Sequence, residues 1–324
     1  MEPSETSQEI FHIFNPCAGK ARSGKKALSA VMDSGEKVFG AEYGSTREAV
    51  RALLADHPCA RIIVHGGDGT VFDTVNGIMD SGAASTASFS VVPMGSGNDF
   101  SAYVNSEAAL PEGISKDAPR EIDLIKTVTG GETRYFANMM NVGFDCSVVW
   151  ETYSMKDNRI VRGKLAYISG VGKVLRKKEP MSARIRLEGC VDLGTGEPVP
   201  DFECDRDILL TAVGNSRYCG GGFKALPLAS VTDGLMDVLI INDVTVPKFA
   251  SLIVDYRAGT YISPEGVLKK RFEEPFSCFR CRKMILEKPE RICLDGEIFS
   301  TGEDRKVEIE AVPKAVRYVA ADIR

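Results

Sequence analysis

Residues 61–70, Arg-Ile-Ile-Val-His-Gly-Gly-Asp-Gly-Thr, restrict the fold of this 324-residue chain more than any other stretch. A β-branched run that stops at two glycines is the pattern of a buried strand. Behind it, Val71, Val75, Ile78 and Met79 share one face of a helix. Strand, glycine turn and helix in this order place backbone N–H groups and the positive end of a helix at a strand's carboxyl end. That is where open α/β sheets take their ligands. Asp68 is the odd member, because a carboxylate beside phosphates repels them. It either meets Mg²⁺ or a hydroxyl, or caps the helix as an ordinary N-cap.

The surrounding residues repeat the alternation. Phe11–Phe14 is a short apolar run followed by Asn15-Pro16-Cys17-Ala18-Gly19-Lys20, and Ala27, Leu28, Val31 and Met32 recur at helical spacing. Arg47–Ala55 predicts another helix, and Phe89–Val92 a strand that runs into Pro93-Met94-Gly95-Ser96-Gly97-Asn98-Asp99-Phe100. Strands alternating with helices imply a parallel sheet. Three anion-friendly loops at three strand ends suit one nucleotide phosphate site. The loops contain neither GxxxxGK[ST] nor GxGxxG, so they are not a Walker A loop or a dinucleotide fingerprint.

From Ile122 onward strands dominate: Arg184–Leu187, Asp207–Val213, Leu235–Ile241, Lys283–Glu287 and Val307–Val312. Helices are expected at Lys164–Leu175 and Pro247–Tyr256, and Gly194–Pro200 reads as a long hairpin loop. The expected organisation is an α/β domain over residues 1–121 and a β-rich domain over 122–324, with the option that the extreme carboxyl terminus packs back on the first.

Charge narrows the partners. Asp plus Glu number 45 against 40 Lys plus Arg, a net charge of -5, which makes the chain a poor general binder of nucleic acid. No apolar run reaches the 18 or more residues of a membrane span. The opening MEPSETSQEI is neither a signal nor a transit peptide, so a cytoplasmic protein with reduced thiols is expected. Cys278 and Cys281 have CxxC spacing, but without a second pair they read as plain thiols.

Two acidic turns stand out in the second half. Gly220-Gly221-Gly222 leads through Pro227 to Asp233-Gly234-Leu235-Met236-Asp237-Val238, which could hold a hard cation or be a plain hairpin. Leu294-Asp295-Gly296-Glu297 offers two carboxylates, one able to accept a hydroxyl proton, or is an ordinary type I′ Asp-Gly hairpin.

Taken together, the chain resembles the diacylglycerol kinase and sphingosine kinase family in its bacterial, catalytic-core form. The matching segments are Asn15-Pro16 with Gly19, Gly66–Thr70 with Asn76-Gly77, Pro93–Asp99, Ile122-Asp123, Asn141 to Asp145, Gly163–Tyr167, Gly220–Gly222 with Pro227, Asp233–Val238 and Asp295–Glu297. They run in the family order across nearly the whole chain. The resemblance implies a nucleotide-binding α/β domain like that of NAD kinase and phosphofructokinase, followed by a β-sandwich domain, with ATP in the cleft between them. ATP phosphates would rest on Gly66, Gly67, Gly69 and Thr70, with Asn15, Pro16, Gly19, Lys20, Gly95, Ser96, Gly97 and Asn98 completing the pocket. Asp68 would help place catalytic Mg²⁺, and Asp295 backed by Glu297 would be the base at the lipid hydroxyl. Asp233, the Leu235 carbonyl and Ser230 fall where bacterial members hold a structural Mg²⁺.

Two departures matter. Ser96 stands for the usual threonine and keeps its hydroxyl. Ala102 stands where the family often has an arginine, so Lys20 or Arg22 must substitute or turnover falls. The implied activity is phosphoryl transfer from ATP to diacylglycerol or a similar lipid. Its alternatives are a sphingoid-base or other long-chain alcohol kinase, and a weakly active nucleotide- and lipid-binding regulator. Such a kinase visits the inner membrane surface peripherally. Two basic clusters could dock there, or be plain solvated charged faces: Lys173, Arg176, Lys177 and Lys178 with Val174 and Leu175 beside them, or Lys269, Lys270 and Arg271 with Phe272 beside them. A homodimer is an option the sequence leaves open.

Overall fold

A computed structural model describes residues 8–15, 29, 37–39, 44–106, 119–156 and 181–320, with 152–156 given by backbone alone. Pro16, Gly19, Lys20, Arg22, the helical spacing over 27–32, the Gly163–Tyr167 segment, the expected Lys164–Leu175 helix and the 173–178 basic cluster lie outside the described residues. The chain divides into two compact units, residues 1–123 with 314–324, and residues 124–313.

The first unit is built on a parallel sheet. Strand β1 (Ile10–Phe14) lies between β2 (Lys37–Phe39) and β3 (Arg61–Gly66). Ile13 faces Val64 in register, and both are buried. Helix α1 (Thr46–Asp56) leads into β3. It starts where the Ser45 hydroxyl accepts the Glu48 amide at 3.2 Å, and it buries Ala49, Val50, Leu53 and Leu54. Helix α2 (Asp68–Ser81) then crosses from β3 to the parallel neighbour β4 (Ser88–Pro93), as a parallel connection requires. At Gly77 the two helices touch backbone to side chain. A Cβ there would lie 2.8 Å from the Arg47 carbonyl oxygen and from Val50 Cβ, so any larger residue would part them. The short α3 (Asp99–Val104) follows β4, and β5 (Arg120–Thr129) carries the chain into the second unit.

The second unit is antiparallel. The far half of β5 folds back on β6 (Glu132–Phe136). After β7 (Met139–Gly143), α4 (Phe144–Lys156) and β8 (Met181–Glu188) comes β9 (Phe202–Gly214), the hub of the ladder. The first half of β9 pairs with β8, and its second half pairs with β7 and with β10 (Met236–Asn242). Helix α5 (Val246–Ala258) packs Phe249, Leu252 and Tyr256 into the main cluster of buried side chains with Leu210, Leu239 and Phe276. Burial of each is worth roughly 1.5–3 kcal/mol. Phe276 also receives Tyr256 and Phe272 edge-on, with ring centroids 5.8 Å and 4.9 Å away.

Strands β11 (Phe276–Cys281), β12 (Lys283–Glu287), β13 (Arg291–Leu294) and β14 (Glu297–Ser300) complete the unit. The last strand, β15 (Lys306–Tyr318), pairs with β12 and then returns to the first unit. There Arg317 and Tyr318 lie parallel to Ser88 and Phe89 of β4. The fold is therefore α/β with parallel amino-terminal strands, followed by a β-sandwich-like domain. Among the described residues no helix is long and apolar enough to cross a membrane.

Candidate functional site

In the first unit the loops after β3 and β4 are pressed together. A Cβ on Gly67 would lie 2.8 Å from the Gly95 Cα, and one on Gly95 would lie 2.5 Å from the Gly67 Cα. Only glycine allows this approach. The Gly66 carbonyl accepts the Met94 amide at 2.8 Å, fixing the first loop to the second. Asn98, in the left-handed region at φ 58°, closes its own loop: its side chain accepts from the Gly95 amide at 2.8 Å and donates to the Gly95 carbonyl at 2.9 Å. Asn15, just past β1, donates to the Thr70 hydroxyl at 3.0 Å. The structure thus brings together Asn15, Gly66, Gly67, Thr70, Gly95 and Asn98, at the carboxyl ends of β1, β3 and β4. Gly69 occupies the first turn of α2, Gly97 lies against the Asp68 carboxylate, and Ser96 is exposed.

Asp68 settles into a brace. Its Oδ2 accepts the Asn98 amide at 2.8 Å and its Oδ1 the Phe100 amide at 3.2 Å. It therefore caps α3, thirty residues away, rather than its own helix. Burial raises its carboxyl above the usual carboxylate range, while the amides of Phe100 and Asn98 pull it down. The other end of α3 is clamped too: Arg120 donates to the Val104 carbonyl and stacks over Tyr318, whose hydroxyl donates to Asn105 at 2.8 Å. A cation at a helix carboxyl end and an anion at its amino end both favour the helix dipole. Ala102 lies exposed on this helix. Asp123 is buried, and its carboxylate accepts the amide of Lys314, which sits at φ 51°. It serves the backbone.

Sequence reading missed one pair beneath these loops. His12 Nδ1 and His65 Nε2 lie 2.9 Å apart, both buried, and His65 stacks on Phe14 with centroids 3.9 Å apart. Burial, and then His12, push His65 down to about 4, so the His65 imidazole stays neutral and shares one hydrogen with His12. Only the position of His65, directly before Gly66, could have flagged it.

In the second unit Asp295 and Gly296 have φ of 49° and 95°, both positive, as a type I′ turn requires. The turn joins β13 to β14. The buried Asp295 carboxylate accepts three amides: Ala137 at 3.0 Å on Oδ2, and Asn138 at 3.1 Å and Met139 at 2.8 Å on Oδ1. A carboxylate offers about four acceptor positions, so most are committed to the entry of β7. Glu297 is half-buried on the first residue of β14. On α4, burial pushes Asp145 up to about 6, with a Tyr256 hydrogen bond opposing it. A carboxyl that titrates near neutrality was not visible in the motif.

Other expectations resolve differently. Cys278 and Cys281 are three apart on β11, so their side chains leave opposite faces of the strand. The eight described cysteines are free thiols. Lys269 and Arg271 both bind Asp255, and Phe272 is fully buried, so that cluster is an ion-pair knot with its aromatic turned inward. Ser230, Asp233 and Leu235 share one turn after β9, but do not fit a Mg²⁺ ion. The Asp233 Oδ1 already accepts the Leu235 amide at 3.0 Å, and its Oδ2 faces the Arg280 guanidinium at 3.8 Å.

Comparison with known proteins agrees with this architecture. The diacylglycerol kinase catalytic domain matches residues 9–129, and the YegS C-terminal NAD kinase beta sandwich-like domain matches 138–320. A protein of Stenotrophomonas maltophilia described as "Probable lipid kinase YegS-like" is 31% identical, over 82% of this chain and 80% of its own length. One of Alcanivorax borkumensis with the same description is 29% identical, over 85% and 83%. The crystal structure of a diacylglycerol kinase from Bacillus anthracis superposes with a TM-score of 0.60 at 17% identity, covering 97% of each chain. A family model spans more than half of the sequence, and a relative above 30% identity is covered over most of its length; the chain belongs to the YegS-like family of lipid kinases.

Proposed function

We propose that the protein moves the γ-phosphoryl group of ATP to a hydroxyl of diacylglycerol or a similar membrane lipid. One observation carries this reading: two glycine loops at neighbouring parallel strand ends, pressed backbone to backbone and bridged by Asp68. Such a cradle presents backbone N–H groups to phosphates, and α2 adds the positive end of its dipole. Phosphoryl transfer asks mainly for positioning and charge neutralisation. Asn15 and Thr70 border the same cradle. Mg²⁺ would enter with ATP and neutralise phosphate charge, and Asp68, held in place by the Asn98 and Phe100 amides, would help place it.

The lipid hydroxyl loses its proton to the Asp295–Glu297 turn. Three amides hold Asp295 in one orientation, which favours a fixed acceptor geometry. The acceptor lipid is embedded in a bilayer, so contact is peripheral. With Lys269 and Arg271 closed on Asp255, the cluster Lys173, Arg176, Lys177 and Lys178 is the docking segment, each charge adding about 1 kcal/mol near an anionic leaflet.

The test is transfer of labelled γ-phosphate from ATP, with Mg²⁺, to diacylglycerol, sphingosine and ceramide in mixed micelles, beside an Asp295→Asn variant. Labelled diacylglycerol that disappears in the variant supports the reading. Label on sphingosine alone transfers it to a sphingoid-base kinase. No transfer to any lipid while ATP still binds overturns the kinase reading in favour of a regulator, and Ala102→Arg is then the first change to make.

A further inference from the structure

The Asp233 turn holds a full set of charges of its own. Asp237 of β10 stands opposite Arg280 of β11 in the ladder. Arg280 Nε donates to Asp237 Oδ1 at 2.6 Å and Nη2 to Oδ2 at 3.2 Å, a two-pronged pair. The same Nη2 donates to the Leu228 carbonyl at 2.7 Å, and Nε lies 3.8 Å from Asp233 Oδ2. The next carbonyl, Ala229, accepts Arg217 Nε at 3.0 Å. Arg217 also acts on Asp237 through its charge. The Ser230 hydroxyl is turned into its own loop, where it accepts the Thr232 amide at 3.3 Å. The Asp237 and Arg280 side chains are 6% and 14% exposed, so solvent screens the pair weakly.

A hard dication needs about six oxygens around it. Here the carbonyls of Leu228 and Ala229 point at guanidiniums, one Asp233 oxygen already accepts the Leu235 amide, and the other faces Arg280 at 3.8 Å. Two positive side chains already balance two negative ones. A Mg²⁺ ion at Asp233 would sit a few ångströms from a guanidinium it repels.

We propose that Arg280, seconded by Arg217, is the resident cation of the Asp233 turn in this chain, and that the turn folds and holds without Mg²⁺. The inference concerns stability, and it stands or falls independently of the kinase reading. The experiment is thermal unfolding of the full chain, without nucleotide or lipid, in excess EDTA and in millimolar Mg²⁺. The expected result is one midpoint for the wild type in both. Arg280→Met should lower that midpoint by about 5 °C or more, because Asp237 is left buried and unpaired. Arg280→Lys keeps the charge and loses the fork, and should fall by less. A wild-type midpoint that drops in EDTA and recovers with Mg²⁺, with Asp233→Asn abolishing the response, overturns the proposal. So does an Arg280→Met or Arg280→Lys protein as stable as the wild type. A Mg²⁺ response that survives Asp233→Asn lies at another site and leaves the proposal standing.

Discussion

Asp68 and Asp295 invite comparison because each sits in a glycine turn and each gives both carboxylate oxygens to amides distant in sequence. Asp68 takes those of Asn98 and Phe100; Asp295 takes those of Ala137, Asn138 and Met139. The difference lies in what the amides belong to. Asp68 caps a six-residue helix and ties one glycine loop to another, so what it leaves for a ligand is organised backbone. Asp295 locks a hairpin to the start of β7 with Glu297 two residues on, so what it leaves is a pair of carboxylates on a rigid turn. In both regions the acidic residue of the motif first builds the backbone. On the proposed function, the chemistry would follow from what that backbone presents: N–H groups in one case, proton acceptors in the other.

The largest effect should come from the second region. Asp295→Asn is expected to lower kcat by roughly 10²–10⁴, the usual worth of a positioned acid or base. It should also lower the unfolding midpoint, since the new amide nitrogen must face either the Ala137 amide or the amides of Asn138 and Met139 and cannot accept from them. Glu297→Gln, at a half-buried position, should spare the midpoint. Steady-state kinetics beside thermal unfolding separate the two, and an unchanged kcat in Glu297→Gln would assign the proton to Asp295 alone.

The next effect belongs to the first region. His65 is held at about 4 in the folded chain, below its ordinary 6.5. Its neutral form is therefore favoured by folding. That stability is complete above pH 6.5 and is lost as the unfolded chain takes up protons between pH 6.5 and 4, by at most roughly 3 kcal/mol. Urea unfolding across that window should show the slope, and His65→Gln should flatten it.

The smallest expected effect is at the membrane. Lys177→Glu with Lys178→Glu should weaken binding to anionic vesicles, at about 1 kcal/mol per charge, and binding that is unchanged would remove that segment from the docking role.

What was legible in the sequence follows range. The strand Arg61–Gly66 and the helix behind it could be read because their pattern is local, and the Asp-Gly turn at 295–296 declared its hairpin through turn chemistry alone. The CxxC spacing could be set aside because no second pair accompanies it, and the strand that carries it separates the two thiols by its period of two. The rest depended on contacts the chain makes only when folded. The local pattern at Asp68 points to a cap for its own helix or to a Mg²⁺ or hydroxyl partner, and cannot show the amides of Asn98 and Phe100, thirty residues on, that it accepts in the fold. His12 meets His65 across 53 residues, and Arg280 meets Asp237 across 43, each fixed by strand register that no local pattern encodes.

The central claim is that the close approach of Gly67 and Gly95, braced by Asp68, forms the cradle for the triphosphate. Calorimetric titration of Mg·ATP into the wild type, Gly95→Ala and Asp68→Asn tests it most directly, with unfolding midpoints taken on the same samples. A methyl group at Gly95 would meet the Gly67 backbone and part the two loops, at a stability cost of about 1–3 kcal/mol, so Gly95→Ala should bind Mg·ATP more weakly, and Asp68→Asn should also lose affinity, while both proteins stay folded. Folded variants that bind Mg·ATP as tightly as the wild type would contradict the account and place the nucleotide elsewhere.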